Sequence, residues 1–145
     1  MPDPAIALDE LRGRLAAEFP EAFHPGSSLS IVAIAHGMAR LRYAFRPKSL
    51  RPGGTISGTT LMTLADATMY VAVLASIGWV PLAVTTNLSI NFLKKPGPRA
   101  LDAECRLLKL GKRLAVGDIS IRSEAMTSLR RTRLRPIRFL RSGRR

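Results

Sequence analysis

Apolar and polar positions divide the chain into stretches of different period. Near the start, Ile6, Leu8, Leu11, Leu15 and Phe19 recur at three- and four-residue spacing among Asp9, Glu10, Arg12 and Arg14. That is the stripe of an amphipathic helix. Asp3-Pro4 offers an N-cap and a first-turn proline, and Pro20 closes the pattern, which predicts a helix of about four turns. Residues 23–28, Phe-His-Pro-Gly-Ser-Ser, read as loop. From residue 29 the period drops to two. Leu29, Ile31, Ala33 and Ala35 share one face. After His36-Gly37, Leu41, Tyr43 and Phe45 share a face while Arg40 and Arg42 point away. Two such runs around a glycine predict a hairpin.

The longest apolar stretch follows. Residues 51–58, Arg-Pro-Gly-Gly-Thr-Ile-Ser-Gly, form a glycine-rich loop that runs into a helix from about Leu61 to Leu74 with one charge, Asp66. A helix apolar on all sides is expected to be buried. Residues 83–93 alternate again, with Thr86, Leu88, Ile90 and Phe92 on one face and Thr85, Asn87, Ser89 and Asn91 on the other. Pro96-Gly97-Pro98 turns the chain. Leu101, Ala103, Cys105 and Leu107 then alternate with Asp102, Glu104 and Arg106. Beyond Gly111-Lys112, Ala115, Gly117, Ile119 and Ile121 define a last clear strand ending near Glu124. No strand–helix–strand repeat occurs. The prediction is one α+β domain, with a mostly antiparallel sheet curled around a central helix that has no polar face, plus the N-terminal amphipathic helix.

Composition changes this picture in one place. The net charge of +13 suggests an anionic partner, but residues 127–145 hold eight arginines and no acidic residue. The rest of the chain carries 15 basic against 10 acidic residues. A single cysteine excludes a disulfide framework and a cysteine-based metal site. The start Met1-Pro2-Asp3-Pro4 lacks the features of a secretory signal. Residues 61–84 are long enough to span a bilayer, but Gly78 and Pro81 break them and amphipathic strands flank them. The expectation is a cytoplasmic protein with no membrane role.

These residues resemble the hotdog-fold acyl-CoA thioesterases of the PaaI-like, phenylacetate-pathway group. The resemblance covers residues 27–124. In that family the loop entering the central helix carries His-Gly-Gly, with an acid nine residues after the His. Here Ser57-Gly58-Thr59 stands in that place, and Asp66 lies nine residues after Ser57. Residues 83–93 look like the strand after the helix, and Gly111-Lys112-Arg113 looks like the family's Gly-Lys-Arg turn.

The resemblance implies hydrolysis of an acyl-CoA thioester. Asp66 would be base or nucleophile, and its burial would raise its pKa. Gly58, and with it Thr59, would offer backbone N–H groups to the oxyanion at the helix start. Thr85 would hold the attacking water. Arg51 falls where relatives have an Asn that touches the carbonyl; it would donate to the carbonyl or pair with Asp66. Lys112 and Arg113 would bind the phosphates of coenzyme A, which enters as part of the substrate; no cofactor or metal is implied. Sites in this family form between protomers, so a homodimer or homotetramer is implied.

Each residue also has a plainer reading. Asp66 suits the N-terminal half of a helix, the glycines shape a loop, and Thr85 is an ordinary strand residue. Lys112-Arg113 suits a solvated turn. Met62, Met69 and Tyr70 read as core or as the lining of an acyl tunnel. Two other functions stay open: a hotdog module that binds acyl-CoA without turnover, and nucleic-acid binding through the basic tail, where the lack of aromatic residues beside the arginines, apart from Phe139, weighs against specific single-strand binding.

The resemblance ends at the tail. The division is a hotdog domain over residues 1–126 and an arginine-rich tail over 127–145 in place of the expected last strand. Three explanations compete: a basic arm, a poor but usable strand burdened by Pro136, and a shift of the coding frame near residue 126. The abrupt arginine enrichment favours the last.

Overall fold

The structure is a computed structural model, and it describes residues 2–91 and 96–123, together with the backbone of 132–140. The first helix, α1 (Leu8–Glu18), begins later than the Asp3-Pro4 signal predicts, with Ala7 as its N-cap. Leu11 and Leu15 are wholly buried, and the Arg12 guanidinium donates to the Ile31 carbonyl oxygen at 2.7 Å. These contacts dock the helix on the sheet. A short helix, α2 (Pro20–Phe23), turns away from Phe19 and buries Phe23.

The predicted hairpin is present as β1 (Leu29–Ala35) and β2 (Met38–Tyr43), joined through Gly37 at φ 80°. A left-handed turn residue of this kind suits glycine. A two-residue pair, β3 (Leu50–Arg51) and β4 (Thr55–Ile56), holds the glycine-rich loop. Then come α3 (Gly58–Ile77), β5 (Val84–Ser89), β6 (Leu101–Leu110), β7 (Leu114–Ser123) and β8 (Thr132–Leu140). The main sheet has six antiparallel strands in the order β1-β2-β6-β7-β8-β5.

Alternation buries one face of the sheet against α3. Leu41, Leu101, Cys105 and Ile119 from the strands meet Leu64, Met69, Val71 and Leu74 from the helix, all 0 or 1% exposed. The opposite face carries cross-strand ion pairs, Arg40 with Glu104 and Arg42 with Asp102. Gly117 marks the tightest packing: a Cβ there would stand 2.5 Å from Met69 Sδ and 3.1 Å from Cys105 Sγ. Burial, then Asp118 and Glu104, push the Cys105 thiol far above its ordinary range. It is an inert core residue. By length and composition α3 could cross a membrane, yet 61% of its most apolar window is buried inside this fold.

One expectation is corrected here. The central helix does have a face outside the core: Thr59, Met62, Thr63 and Asp66, at three- and four-residue spacing, are all exposed. Of the three readings of the arginine-rich segment, the backbone follows the usable strand. Its backbone at Thr132–Leu140 occupies the strand position between β7 and β5, so neither neighbour is left unpaired. Pro136 is tolerated because neither ladder uses it. On β7 the partners step from Gly117↔Ile137 to Ile119↔Leu134, and on β5 from Asn87↔Arg138 to Ser89↔Arg135. Proline cannot donate to a ladder, and bulges are where central strands accept it. Residues 124–131 and 141–145 of the tail lie outside the described residues.

Candidate active site

Asp66 lies two turns into α3, on the exposed face rather than in the core. The expected burial of this carboxylate is therefore not met in the single chain. What the carboxylate has is a partner. The Thr85 hydroxyl donates a short hydrogen bond to Asp66 Oδ1 across the gap between β5 and α3.

A β-bulge makes this contact possible. Strict alternation would put Thr85 on the face opposite Leu88. Instead β5 steps from Thr85↔Phe139 to Asn87↔Arg138, leaving Thr86 as the extra residue. Thr85 and Leu88 are half-buried, while Thr86 and Asn87 are exposed. The predicted faces are therefore corrected at this end of the strand. Bulges commonly re-aim side chains beside functional sites.

Asp66 and Thr85 both line a cavity of about 640 Å³ between α3, the α1–α2 corner and the segment leading into β5. Its other walls include Phe19, Ala22, Tyr70 and Trp79. The Tyr70 hydroxyl donates to the Pro81 carbonyl oxygen at 3.0 Å, and its pKa is raised by burial and secondarily by Glu18. The sequence reading took Tyr70, Met69 and Met62 as one set. The structure separates them: Met69 is core, Met62 is exposed and Tyr70 lines the cavity. Phe19 and Trp79 were missed as site residues; the first looked like the end of a helix stripe, and nothing in the sequence singled out the second.

A second cavity of about 490 Å³ shares Ala22, Leu29 and Thr63 with the first. It opens past Ser57 and Thr60 towards Lys48 and His24.

Ser57 is the N-cap of α3. Its Oγ accepts from the Thr60 N–H at 3.3 Å and lies 2.8 Å from Thr60 Oγ1. Among the described residues the N–H groups of Gly58 and Thr59 have no acceptor, as befits the first turn of a helix. Arg51 is exposed on the β3–β4 pair and makes no ion pair among the described residues, so it does not neutralise Asp66 within the chain. Lys112 and Arg113 are exposed in the β6–β7 turn. The register Leu114↔Leu140↔Val84 puts that turn at the same end of the sheet as Thr85, about 10 Å away across two strand spacings. Among the described residues no group of three or more His, Cys, Asp or Glu is placed to hold a metal ion.

An antiparallel sheet wrapped round one long central helix is the hotdog fold. The chain belongs to the thioesterase superfamily, whose family model matches residues 53–129. It is 40% identical to a Saccharolobus solfataricus protein named as an esterase, over 81% of this chain and 75% of that one. A solved structure from Silicibacter sp. TM1040, named as a thioesterase, is 39% identical, covers 95% of this chain and 93% of its own, and superposes with a TM-score of 0.82. The PaaI protein of Escherichia coli shares the fold at 20% identity, covering 94% of this chain and 97% of its own with a TM-score of 0.74.

Proposed function

We propose that this thioester hydrolase cleaves an acyl-CoA with Asp66 as general base. The observation that carries this is the Thr85–Asp66 hydrogen bond at the wall of an apolar cavity. With its proton committed to Asp66 Oδ1, the Thr85 oxygen can accept from a water, and the second Asp66 oxygen can accept the other water proton. Attack of that water on the thioester carbon transfers its proton to Asp66. The tetrahedral oxyanion then collapses, the C–S bond breaks, and Asp66 returns the proton to the departing thiolate.

The oxyanion needs a backbone donor, and Gly58 is the fitting one. Yet Gly58 and Asp66 are eight residues apart on one helix, about 12 Å along its axis. A single carbonyl has to lie within about 3 Å of its donor and of its attacking water. One chain therefore holds half of each end of the chemistry. The site is completed by a second copy, Asp66 and Thr85 from one and Gly58 and Thr59 from the other. The exposed stripe of α3 lies beside β5, an edge strand of the sheet, which is where a second copy would pack. Lys112 and Arg113, at that same sheet end, serve the phosphates of coenzyme A. Ser57 serves as the cap that holds the helix start open, and Arg51 remains a donor for a substrate carbonyl reached across the interface.

The test is thiol release from acyl-CoA substrates by the native chain and by Asp66→Asn. Loss of a general base lowers kcat by about 10²- to 10⁴-fold. Equal turnover in the two proteins refutes the role of Asp66. A single turnover in ¹⁸O-water that leaves label in the protein identifies a covalent acyl-aspartate route, in which water opens the anhydride at the aspartyl carbon.

A further inference from the structure

The acyl group can be classed from the cavity. Among the described residues, Phe19, Leu82 and Val84 are exposed by 41, 74 and 55%, and all three line the one cavity that Asp66 and Thr85 also line. Exposed apolar surface gathered around convergent polar groups marks a ligand pocket.

Three rings shape the pocket, each from a different element. Phe19 sits at the α1–α2 corner, Tyr70 on α3 and Trp79 just past the end of α3. The corner is held from both sides. The Phe19 N–H donates to the Leu15 carbonyl oxygen at 2.8 Å, and the Phe19 carbonyl accepts from Ala22 and Phe23 at 3.3 and 3.1 Å. The Phe19 and Tyr70 rings stand edge to face, centroids 6.3 Å apart, and the Arg14 guanidinium lies 5.5 Å from the Trp79 ring centre. These are fixed surfaces, suited to a bulky apolar guest and far too large for a methyl group. Phe19 and Ala22 also lie outside residues 53–129, the stretch that the family model matches.

We infer that the α1–α2 corner is the specificity element of the site. Phe19 and Ala22, facing Tyr70 and Trp79, select a bulky apolar acyl group over acetyl. The inference rests on the acyl-CoA reading above, and the experiment keeps the two separable. Trp79 is the chain's single tryptophan, so its emission reports on the pocket whether or not hydrolysis occurs. Native protein, Ala22→Phe and Phe19→Ala are titrated with free coenzyme A, acetyl-CoA, octanoyl-CoA and phenylacetyl-CoA. Emission and thiol release are both recorded, and folding is confirmed by circular dichroism.

The expected result has three parts. Trp79 emission shifts with octanoyl- or phenylacetyl-CoA but not with free coenzyme A. The native kcat/KM for that ligand exceeds that for acetyl-CoA. Filling the pocket with Ala22→Phe lowers the ratio by about tenfold or more, the scale on which apolar pockets discriminate. Which of the two ligands prevails distinguishes a linear from a ring-bearing acyl group. A ratio unchanged in both folded variants, or an emission unmoved by saturating ligand, overturns the assignment while leaving hydrolysis intact. A shift in Trp79 with no thiol released supports the pocket and sinks the hydrolysis.

Discussion

Gly58→Pro removes one N–H and, on this backbone, little else. Gly58 is the first residue of α3, where proline is well tolerated because the missing N–H has no helical acceptor. The residue before a proline must be extended, and Ser57 already is, at φ −64° and ψ 148°. The cap bond from the Thr60 N–H to Ser57 Oγ is untouched. The melting temperature should therefore hold while turnover falls by about 10²- to 10³-fold, the usual loss for one oxyanion donor. Asp66→Asn should be comparably inactive for a different reason. If each site joins Asp66 of one copy to Gly58 of another, mixed dimers of the two variants contain one wholly native site and one doubly damaged one. Co-expression gives about half mixed dimers by random pairing, hence about a quarter of native turnover from two inactive parents. Isolation of the mixed species through two different affinity tags raises that to about half. Folded mixed dimers no more active than either parent would refute the composite site. The 12 Å separation along α3 would then need another explanation.

Two further outcomes follow from single residues. Ser57→Ala should lower stability by about 1 kcal/mol through loss of the N-cap, with Ser57→Asp restoring it; chemical denaturation measures both, and a KM effect shared by Ser57→Asp would instead place Ser57 on the substrate. Cys105 has its pKa raised by burial, so the folded state keeps a proton that the unfolded state releases above about pH 8.5. That contribution is fully present below the unfolded pKa, and stability falls above it by up to about 1.4 kcal/mol per pH unit. Denaturation midpoints between pH 8 and 9.5 should show a steeper decline in the native chain than in Cys105→Ala, and parallel slopes would contradict the burial.

Period-two alternation made the hairpin, β6 and β7 legible, because one face of each is buried and the other carries charge. Ile119 against Asp118, and Leu41 against Arg40 and Arg42, leave one choice of face. The same rule misplaced Thr85. A bulge inserts one residue without any change in composition, and Val84-Thr85-Thr86-Asn87 offers no glycine to announce it. The register with β8 was needed to see that Thr86 is the extra residue. Pro136 misled in the opposite direction. It reads as a strand breaker, yet the chain places it where both neighbouring ladders skip a residue.

Asp66 was found for a partly mistaken reason, and the difference bears on mechanism. Thr59, Met62 and Thr63 are mild enough in hydropathy to pass as core, so the helix read as apolar all round and its one carboxylate as buried. The structure shows a helix with most of its surface in the sheet and one stripe outside it. On that stripe the carboxylate has the Thr85 hydroxyl as its hydrogen-bond partner. Its environment in the working enzyme then depends on what covers the stripe. If that cover is a second copy bringing the Gly58 N–H, the same contact that completes the oxyanion hole also excludes water from around Asp66. Diluting the enzyme below its dimer dissociation constant should accordingly lower turnover per chain more steeply than loss of Gly58 alone, since both ends of the reaction are lost at once.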